Sequence, residues 1–424
     1  MERVSTQSID ISDYIDSAGE EAVEHLQRLA EPLRGLRVLH VNATPRGGGV
    51  AEILNSLVPL QQSLGLDSRW QAIVAEPAFF EVTKKMHNGM QGAPVTLSDE
   101  DKQIYRTWQQ RIADQLPEDV DVMVIHDPQP LGVMQASNHH QHAHWIWRLH
   151  IDSSHPNPQV WSFLRPMLDG YDAAVFTMAQ FAPPDVPADL VHIIAPAIDP
   201  LTVKNRPMPY GDALSRLPAI GLDPGRPLVS QVARLDPWKD PNGVIDAYRM
   251  VRKTVPGLQL AMLGVIEAQD DPEAMRMYDT VREHAGDDPD IHIYVDPQVI
   301  GQPEVAAVQL LSQVVFQKSL REGFGLSVAE AMWKATPVIG GRAGGIPLQL
   351  QDGVGGFLVD SVEDAAERTA WLLAHPPAAR SIAARGRQQI REHFLITRLL
   401  CDHLELYAEV LGHQALEQQA AADD

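Results

Sequence analysis

The sequence predicts an α/β protein of two Rossmann-like domains, each a parallel sheet wrapped in helices, with a central cleft between them. Three observations carry that expectation. At 424 residues the chain is longer than one hydrophobic core usually serves. Its apolar runs are short and nearly continuous rather than alternating, as in strands buried on both faces. Those runs also alternate with helical patterns, in two rounds, which implies βα units and one parallel sheet per half.

The first round comprises 37–41, 70–74, 122–125, 145–149, 173–176 and 191–194, all rich in β-branched, aromatic or other apolar residues. The second comprises 228–232, 259–263, 291–295, 314–316, 337–339 and 357–359. Between the rounds, Asn-Arg-Pro-Met-Pro at 205–209 reads as a linker. The domains are therefore expected over 1–205 and 206–394. The stretch 326–334 has the composition of a helix and follows the 314–316 run directly. A last helix is expected over 403–419.

Composition narrows the function. Lys plus Arg total 34 against 56 Asp plus Glu, a net charge of −22. So acidic a surface argues against nucleic-acid and anionic-membrane partners, and any anionic substrate must be met by local cations. Cys401 is the single cysteine, which excludes an intrachain disulfide. There is no apolar leader at the N-terminus and no apolar run of about 18 residues, so a cytoplasmic protein is expected. No G-x-G-x-x-G occurs, which removes support for a nicotinamide cofactor.

In parallel sheets of this kind ligands sit outside the carboxyl ends of the strands, so the residues just after each strand matter most. After the first strand, the glycines at 47–49 precede a helix. Gly48 and Gly49 offer backbone amides to an anion, although three glycines also simply make a flexible turn. After 228–232 come Arg234 and Lys239, five residues apart, one a planar fork and the other a compact charge able to converge on a diphosphate. The bland alternative is two solvated loop cations. After 145–149 come His150 and Asp152, candidates for sugar contacts or proton handling, where a satisfied core histidine is the commoner outcome. His139, His140, His142 and His144 lie in one polar stretch with no carboxylate or cysteine among them, which favours a solvated loop over a metal site. Asp119 and Asp121 form a D-x-D pattern, but it precedes its strand and reads as turn chemistry.

The most informative segment is E-G-F-G-L-S-V-A-E, Glu322 to Glu330, set between the 314–316 strand and the 326–334 helix. Gly323 and Gly325 allow a ligand to approach the backbone, and the helix start favours phosphate. Two helix-start carboxylates would be the ordinary explanation. The eight-residue spacing with Gly-Phe-Gly-Leu inside it resembles the E-x7-E signature of family 4 retaining glycosyltransferases, whose two facing domains form the GT-B architecture. That resemblance implies that Glu322 contacts the donor hexose, that amides of Gly323, Phe324, Gly325 and Leu326 hold sugar and diphosphate, and that Glu330 grips the ribose. It also implies that Arg234 and Lys239 clamp the diphosphate, and that the C-terminal stretch 395–424 crosses back to the first domain. Together with the 40–60 and 147–152 segments, these motifs most resemble the trehalose synthase group, which joins a nucleoside-diphosphate glucose to free glucose, with His150 contacting the donor. One departure is Leu348, where many members of the family carry Glu after G-G-I-P.

The resemblance implies glucosyl transfer with retention from UDP-, ADP- or GDP-glucose, without a metal or other cofactor. Arg234, Lys239 and helix-start amides would stabilise charge on the departing β-phosphate. Small sugars are the expected partners, and a homodimer the expected assembly. Asp152 would repel a phosphorylated acceptor and accept hydrogen bonds from a neutral one, so free glucose is expected over glucose 6-phosphate. Two alternatives stay open at this level: a retaining trehalose phosphorylase using glucose 1-phosphate, and a sugar-nucleotide-binding regulator without turnover.

Overall fold

The computed structural model describes residues 1–137, 142–264 and 272–412. It divides into two compact units, Met1–Ala197 with Ile396–Asp424, and Ile198–Leu395.

In the first unit seven strands form one sheet: β1 (Glu2–Arg3), β2 (Arg37–Asn42), β3 (Asp67–Ala72), β4 (Val122–His126), β5 (His144–Arg148), β6 (Ala173–Phe176) and β7 (Val191–Ile193). Their order is β1-β3-β2-β4-β5-β6-β7, parallel throughout except for the short edge pair β1–β3. Every residue of β4 is buried, as its apolar run requires for a central strand. The helices Glu20–Ala30, Gly48–Ser63 and Ile396–Val410 pack on this sheet through Leu26, Leu54, Leu57, Leu399, Leu400 and Leu404. The last of these helices belongs to the first unit although it follows the whole second unit in sequence. The expected extension of that helix beyond residue 412 lies outside the described residues.

The second unit repeats the plan with β8 (Leu228–Val232), β9 (Gln259–Leu263), β10 (Ile291–Tyr294), β11 (Val314–Gln317), β12 (Val338–Gly341), β13 (Gln351–Asp352) and β14 (Gly355–Val359). The order is β10-β9-β8-β11-β12-β14-β13, all parallel. Val229, Tyr248, Leu260, Phe316 and Ile339 form its core.

Every apolar run read as a strand overlaps one, although some end earlier, the 70–74 run at Ala72. The two strands that the sequence reading lacked, β1 and β13, are two-residue edge elements too short to show a pattern. The domain break differs from expectation. It falls after Ala197 rather than after the Pro-rich 205–209 segment. Asn205 is buried, its carbonyl accepts from Trp333 Nε1 at 3.1 Å, and its side chain accepts from Lys334 Nζ at 3.1 Å. Asn205 thus ties the start of the Pro-rich segment to the second unit, while Pro207 and Pro209 are exposed.

Candidate active site

Strand order reverses between β2 and β4 in the first sheet and between β8 and β11 in the second. Crevices outside such reversals are where open parallel sheets bind ligands, because the flanking connections run to opposite faces. Two of the three left-handed non-glycine residues among the described residues, Asp127 (φ 63°) and Asp240 (φ 49°), lie beside these points. Such strained backbone is held only where its surroundings over-determine it.

In the second unit the loops after β8 and β11 meet. Lys239 Nζ lies 2.6 Å from Glu322 Oε2. The same oxygen accepts from Gln317 Nε2 at 3.0 Å and from Ser319 Oγ at 3.1 Å. Ser327 Oγ, in the first turn of the helix Leu326–Trp333, donates to Gln317 Oε1 at 2.9 Å and so orients that amide. Lys318 pairs with Asp240, and Gln231 Nε2 donates to the carbonyl of Lys239 at 2.8 Å. Lys239 is therefore not a solvated loop cation. Arg234 is one: its side chain is 76% exposed and reaches only Asp236, at 3.6 Å. The two cations do not converge on each other in this structure. One is held against Glu322, the other is exposed and paired with Asp236.

The glutamate loop rests on the G-G-I-P segment. Gly345 N donates to Gly323 O at 3.0 Å. At Gly344 a Cβ would fall 1.6 Å from the carbonyl oxygen of Glu322, at a φ of +50°. Only glycine fits there. Gly325, left-handed at φ 82°, caps the helix Leu326–Trp333, and in its first turn Val328 N donates to Gly325 O at 2.9 Å. Phe324 contributes no exposed ring; it is buried against Phe394 at 5.6 Å, so only its backbone can face a ligand. Leu348, the departure from the family pattern, is half-buried on a short turn of helix. Its neighbour Gln349 is buried and donates to Phe324 O at 2.6 Å, which supports the loop from beneath.

Glu330 stands apart from this cluster. It is buried, with Oε1 2.5 Å from Lys204 Nζ and Oε2 accepting from Gln309 Nε2 at 3.2 Å. Burial alone would raise its pKa, but the charges of Lys204 and Lys334 with the hydrogen bonds prevail, and the carboxyl sits below its ordinary value. A ribose could reach it only by displacing Lys204. The structure therefore gives Glu330 a partner that the sequence spacing did not reveal, because Lys204 is remote in sequence.

In the first unit Gly48 opens the helix Gly48–Ser63 after β2, left-handed at φ 78° with open space where a Cβ would be, and Gly49 follows in its first turn. At the end of β5, His150 N donates to Asp127 Oδ1 at 2.9 Å, and His150 Nε2 is 2.9 Å from His126 Nδ1. Asp152 Oδ1 is engaged in a turn, accepting from Ser154 N and Oγ at 3.0 and 2.6 Å. Arg148 is buried within β5, donates to Ile194 O at 2.6 Å, and does not offer its charge at the strand ends. Burial pushes Asp127 up to about 6 and His150 well below the ordinary histidine range.

Asp127, His40, His126 and Gln317 were missed by sequence reasoning. The polar residues inside apolar strands, His40 in β2 and His126 closing β4, were the available signal. Asp119 and Asp121 bind Arg69 and Arg37 and lie before β4, away from the strand ends. His139 and His140 lie outside the described residues; His142 is exposed and His144 faces Asp172 at 3.4 Å. Among the described residues His25, Cys401 and Glu405 bring ligand atoms within 4.8 Å of one another, on helices rather than at strand ends. A cavity of about 720 Å³ lined by Pro224, Arg226, Thr254 and Gln313 opens where the second sheet's strands begin, the end such sheets do not use for substrates.

Residues 40–183 match the family described as trehalose synthase, N-terminal domain, and residues 217–389 match glycosyl transferases group 1. A trehalose synthase of Rubrobacter xylanophilus is 45% identical over 416 residues, covering 97% of this chain and 100% of that protein. One from Thermococcus litoralis is 41% identical over 404 residues, covering 95% and 96%. Among solved structures, a sucrose-phosphate synthase from Thermosynechococcus elongatus superposes with a TM-score of 0.70 at 17% identity, covering 89% of this chain and 100% of that one. At that identity the likeness is one of fold, the GT-B architecture.

Proposed function

The chain belongs to the trehalose synthase family of glycosyltransferases, and from that premise we propose that it transfers glucose, with retention, from a nucleoside-diphosphate glucose to free glucose, forming α,α-trehalose. The bond from the anomeric carbon to the β-phosphate oxygen breaks, and the bond to the acceptor oxygen forms on the same face. The acceptor's proton passes to the departing phosphate. No protein nucleophile is assigned.

The observation that carries this reading is the 2.6 Å contact between Lys239 and Glu322 at the second switch point. It brings a phosphate-side cation and a hexose-side carboxylate to one spot, beside helix-start amides. In the transition state Lys239, Arg234 and those amides take up the growing charge on the leaving diphosphate. Glu322 accepts from a glucose hydroxyl and favours the positive charge developing on the ring. His150 is assigned to a hydroxyl of the transferred glucose and Asp152 to the neutral acceptor. No metal is assigned a role, since the cations here suffice for the charge.

A second reading draws on one observation. Glu330 is occupied by Lys204, which weakens the case for a ribose contact, and a retaining trehalose phosphorylase would need none. Nucleotide dependence separates the two. The protein is supplied with UDP-, ADP- or GDP-glucose and with glucose or glucose 6-phosphate, and the products are read by NMR. Formation of α,α-trehalose and free nucleoside diphosphate from unphosphorylated glucose is expected. A preference for glucose 6-phosphate, a reaction that needs glucose 1-phosphate and no nucleotide, or no turnover with any donor overturns the proposal.

A further inference from the structure

Three histidines form one hydrogen-bonded file through the interior of the first unit. His40 Nδ1 is 3.0 Å from His126 Nε2, and His126 Nδ1 is 2.9 Å from His150 Nε2. The rings stack, with centroids 5.3 and 5.2 Å apart. His40 and His126 are buried, whereas His150 keeps part of its surface exposed. At the inner end, His40 Nε2 is 3.1 Å from Gln61 Oε1. That amide is oriented by two further groups: Ser68 Oγ donates to Gln61 Oε1 at 2.6 Å, and Gln61 Nε2 donates to Tyr407 OH at 3.0 Å. Tyr407 OH lies 3.4 Å from His403 Nδ1, on the same C-terminal helix.

We propose that Gln61, His40 and His126 are positioning residues that hold His150 in the Nε2–H tautomer, so that its Nδ1 presents a lone pair to a glucose hydroxyl. Gln61 Oε1 only accepts, so His40 carries its hydrogen on Nε2 and its Nδ1 is bare. His126 must then donate from Nε2, leaving Nδ1 bare to accept from His150 Nε2–H. A neutral imidazole has one hydrogen, so one amide orientation fixes all three rings.

Neutrality is built in. Burial lowers the pKa of His40 to about 4 and drives His126, His150 and His403 well below the usual range. The charges around the file push the same way: Arg148 beside His126 and His150, and Arg148 with Arg398 beside His403. Asp127, which accepts from the backbone of His150, is raised by burial only to about 6, so near neutral pH its charge works against the others. The tautomer matters because a hydroxyl that donates to Nδ1 becomes more electron-rich as the glucose ring turns cationic, whereas an N–H aimed at the same hydroxyl would withdraw density.

The inference rests on the assignment of His150 to a glucose hydroxyl. In protein labelled with ¹⁵N-histidine near neutral pH, long-range proton–nitrogen correlations show which ring nitrogen carries hydrogen. Nε2–H is expected at His40, His126 and His150. Gln61→Met removes the orienting acceptor; both tautomers should then appear at His150, and kcat should fall about 3- to 10-fold with little change in donor KM. Nδ1–H at His150 in the wild type overturns the proposal. So does a Gln61→Met variant that loses melting temperature without a change in tautomer, or one that changes tautomer without a change in kcat. His150→Ala, measured alongside, separates the two readings: unchanged donor kinetics there sink the hydroxyl contact itself, while the tautomer pattern still tests the file.

Discussion

Removing Lys239 and removing Arg234 should have different consequences, although sequence treats them as a pair. The Lys239 side chain is 14% exposed and Glu322 is 9% exposed, and their 2.6 Å contact is shielded from solvent. Lys239→Ala leaves Glu322 with two neutral donors, Gln317 and Ser319. Breaking one side of a buried pair costs about 3–5 kcal/mol when nothing compensates, and these two donors should reduce that to roughly 1–3 kcal/mol. For a unit of this size the melting temperature should then drop by roughly 2–10 °C. Arg234, 76% exposed, should leave it unchanged. On the proposed function both variants lose a charge-assisted bond to the leaving diphosphate, worth about 1.5–3 kcal/mol, so kcat/KM should fall about 10- to 150-fold in each. Adding Glu322→Gln to Lys239→Ala should recover part of the lost stability and none of the activity, because the uncompensated carboxylate is gone but the phosphate contact is not restored. Calorimetry and steady-state kinetics on the three variants check this. Equal melting temperatures for the two cation variants, or a destabilised Lys239→Ala with full kcat/KM, would refute the reasoning.

Glu330→Ala should remove the buried carboxylate that Lys204 holds and cost about 1–3 kcal/mol, seen as a lower denaturation midpoint; a raised donor KM at unchanged stability would instead restore the ribose role. Gly344→Ala should push the Glu322 carbonyl aside and lower kcat more than 10-fold, by order of magnitude; wild-type kinetics would mean that the loop position is not critical. Asp127 is raised to about 6 from 3.8, so its folded form holds a proton that the unfolded chain has released, and stability drains as pH rises through that window. Asp127→Asn, tolerated at a left-handed φ, should gain about 3 kcal/mol relative to wild type above pH 6 and nothing near pH 4; a constant difference across pH excludes this cause. His40, at about 4, works in the opposite sense: its unfolded form binds the proton first, so about 3 kcal/mol is present above pH 6.5 and is lost as pH falls towards 4. Denaturant titrations at several pH values should show a shallower loss towards low pH in His40→Gln than in wild type, the remainder coming from His126, His150 and His403. EDTA should leave kcat unchanged, and strong inhibition by the chelator would recast a carboxylate as a metal ligand.

The strands were legible because a strand covered on both faces needs an unbroken apolar run, and such runs are visible without tertiary information. The strand-end sites were legible for a related reason. Topology sends ligands to the carboxyl ends, so His150, Lys239 and Glu322 stand out by position as well as by type. The domain break was misread because proline reports local backbone stiffness and not packing, and Asn205 at the head of the 205–209 segment is held by Trp333 and Lys334.

By itself the sequence determined two parallel α/β units, an acidic surface with a few cations kept at strand ends, and the glutamate loop that joins β11 to its helix. It also determined, through identity along nearly the whole chain, membership of the trehalose synthase family. Only the tertiary structure decided who partners whom. Lys239 meets Glu322 although they are far apart in sequence, Lys204 closes over Glu330, and Gln61, His40, His126 and His150 come from four separate elements to form one file. The physical reason is that burial, partner and tautomer are properties of a neighbourhood. A local pattern fixes which face of an element is apolar, but the polar atom left inside is satisfied by whichever distant residue the fold brings against it.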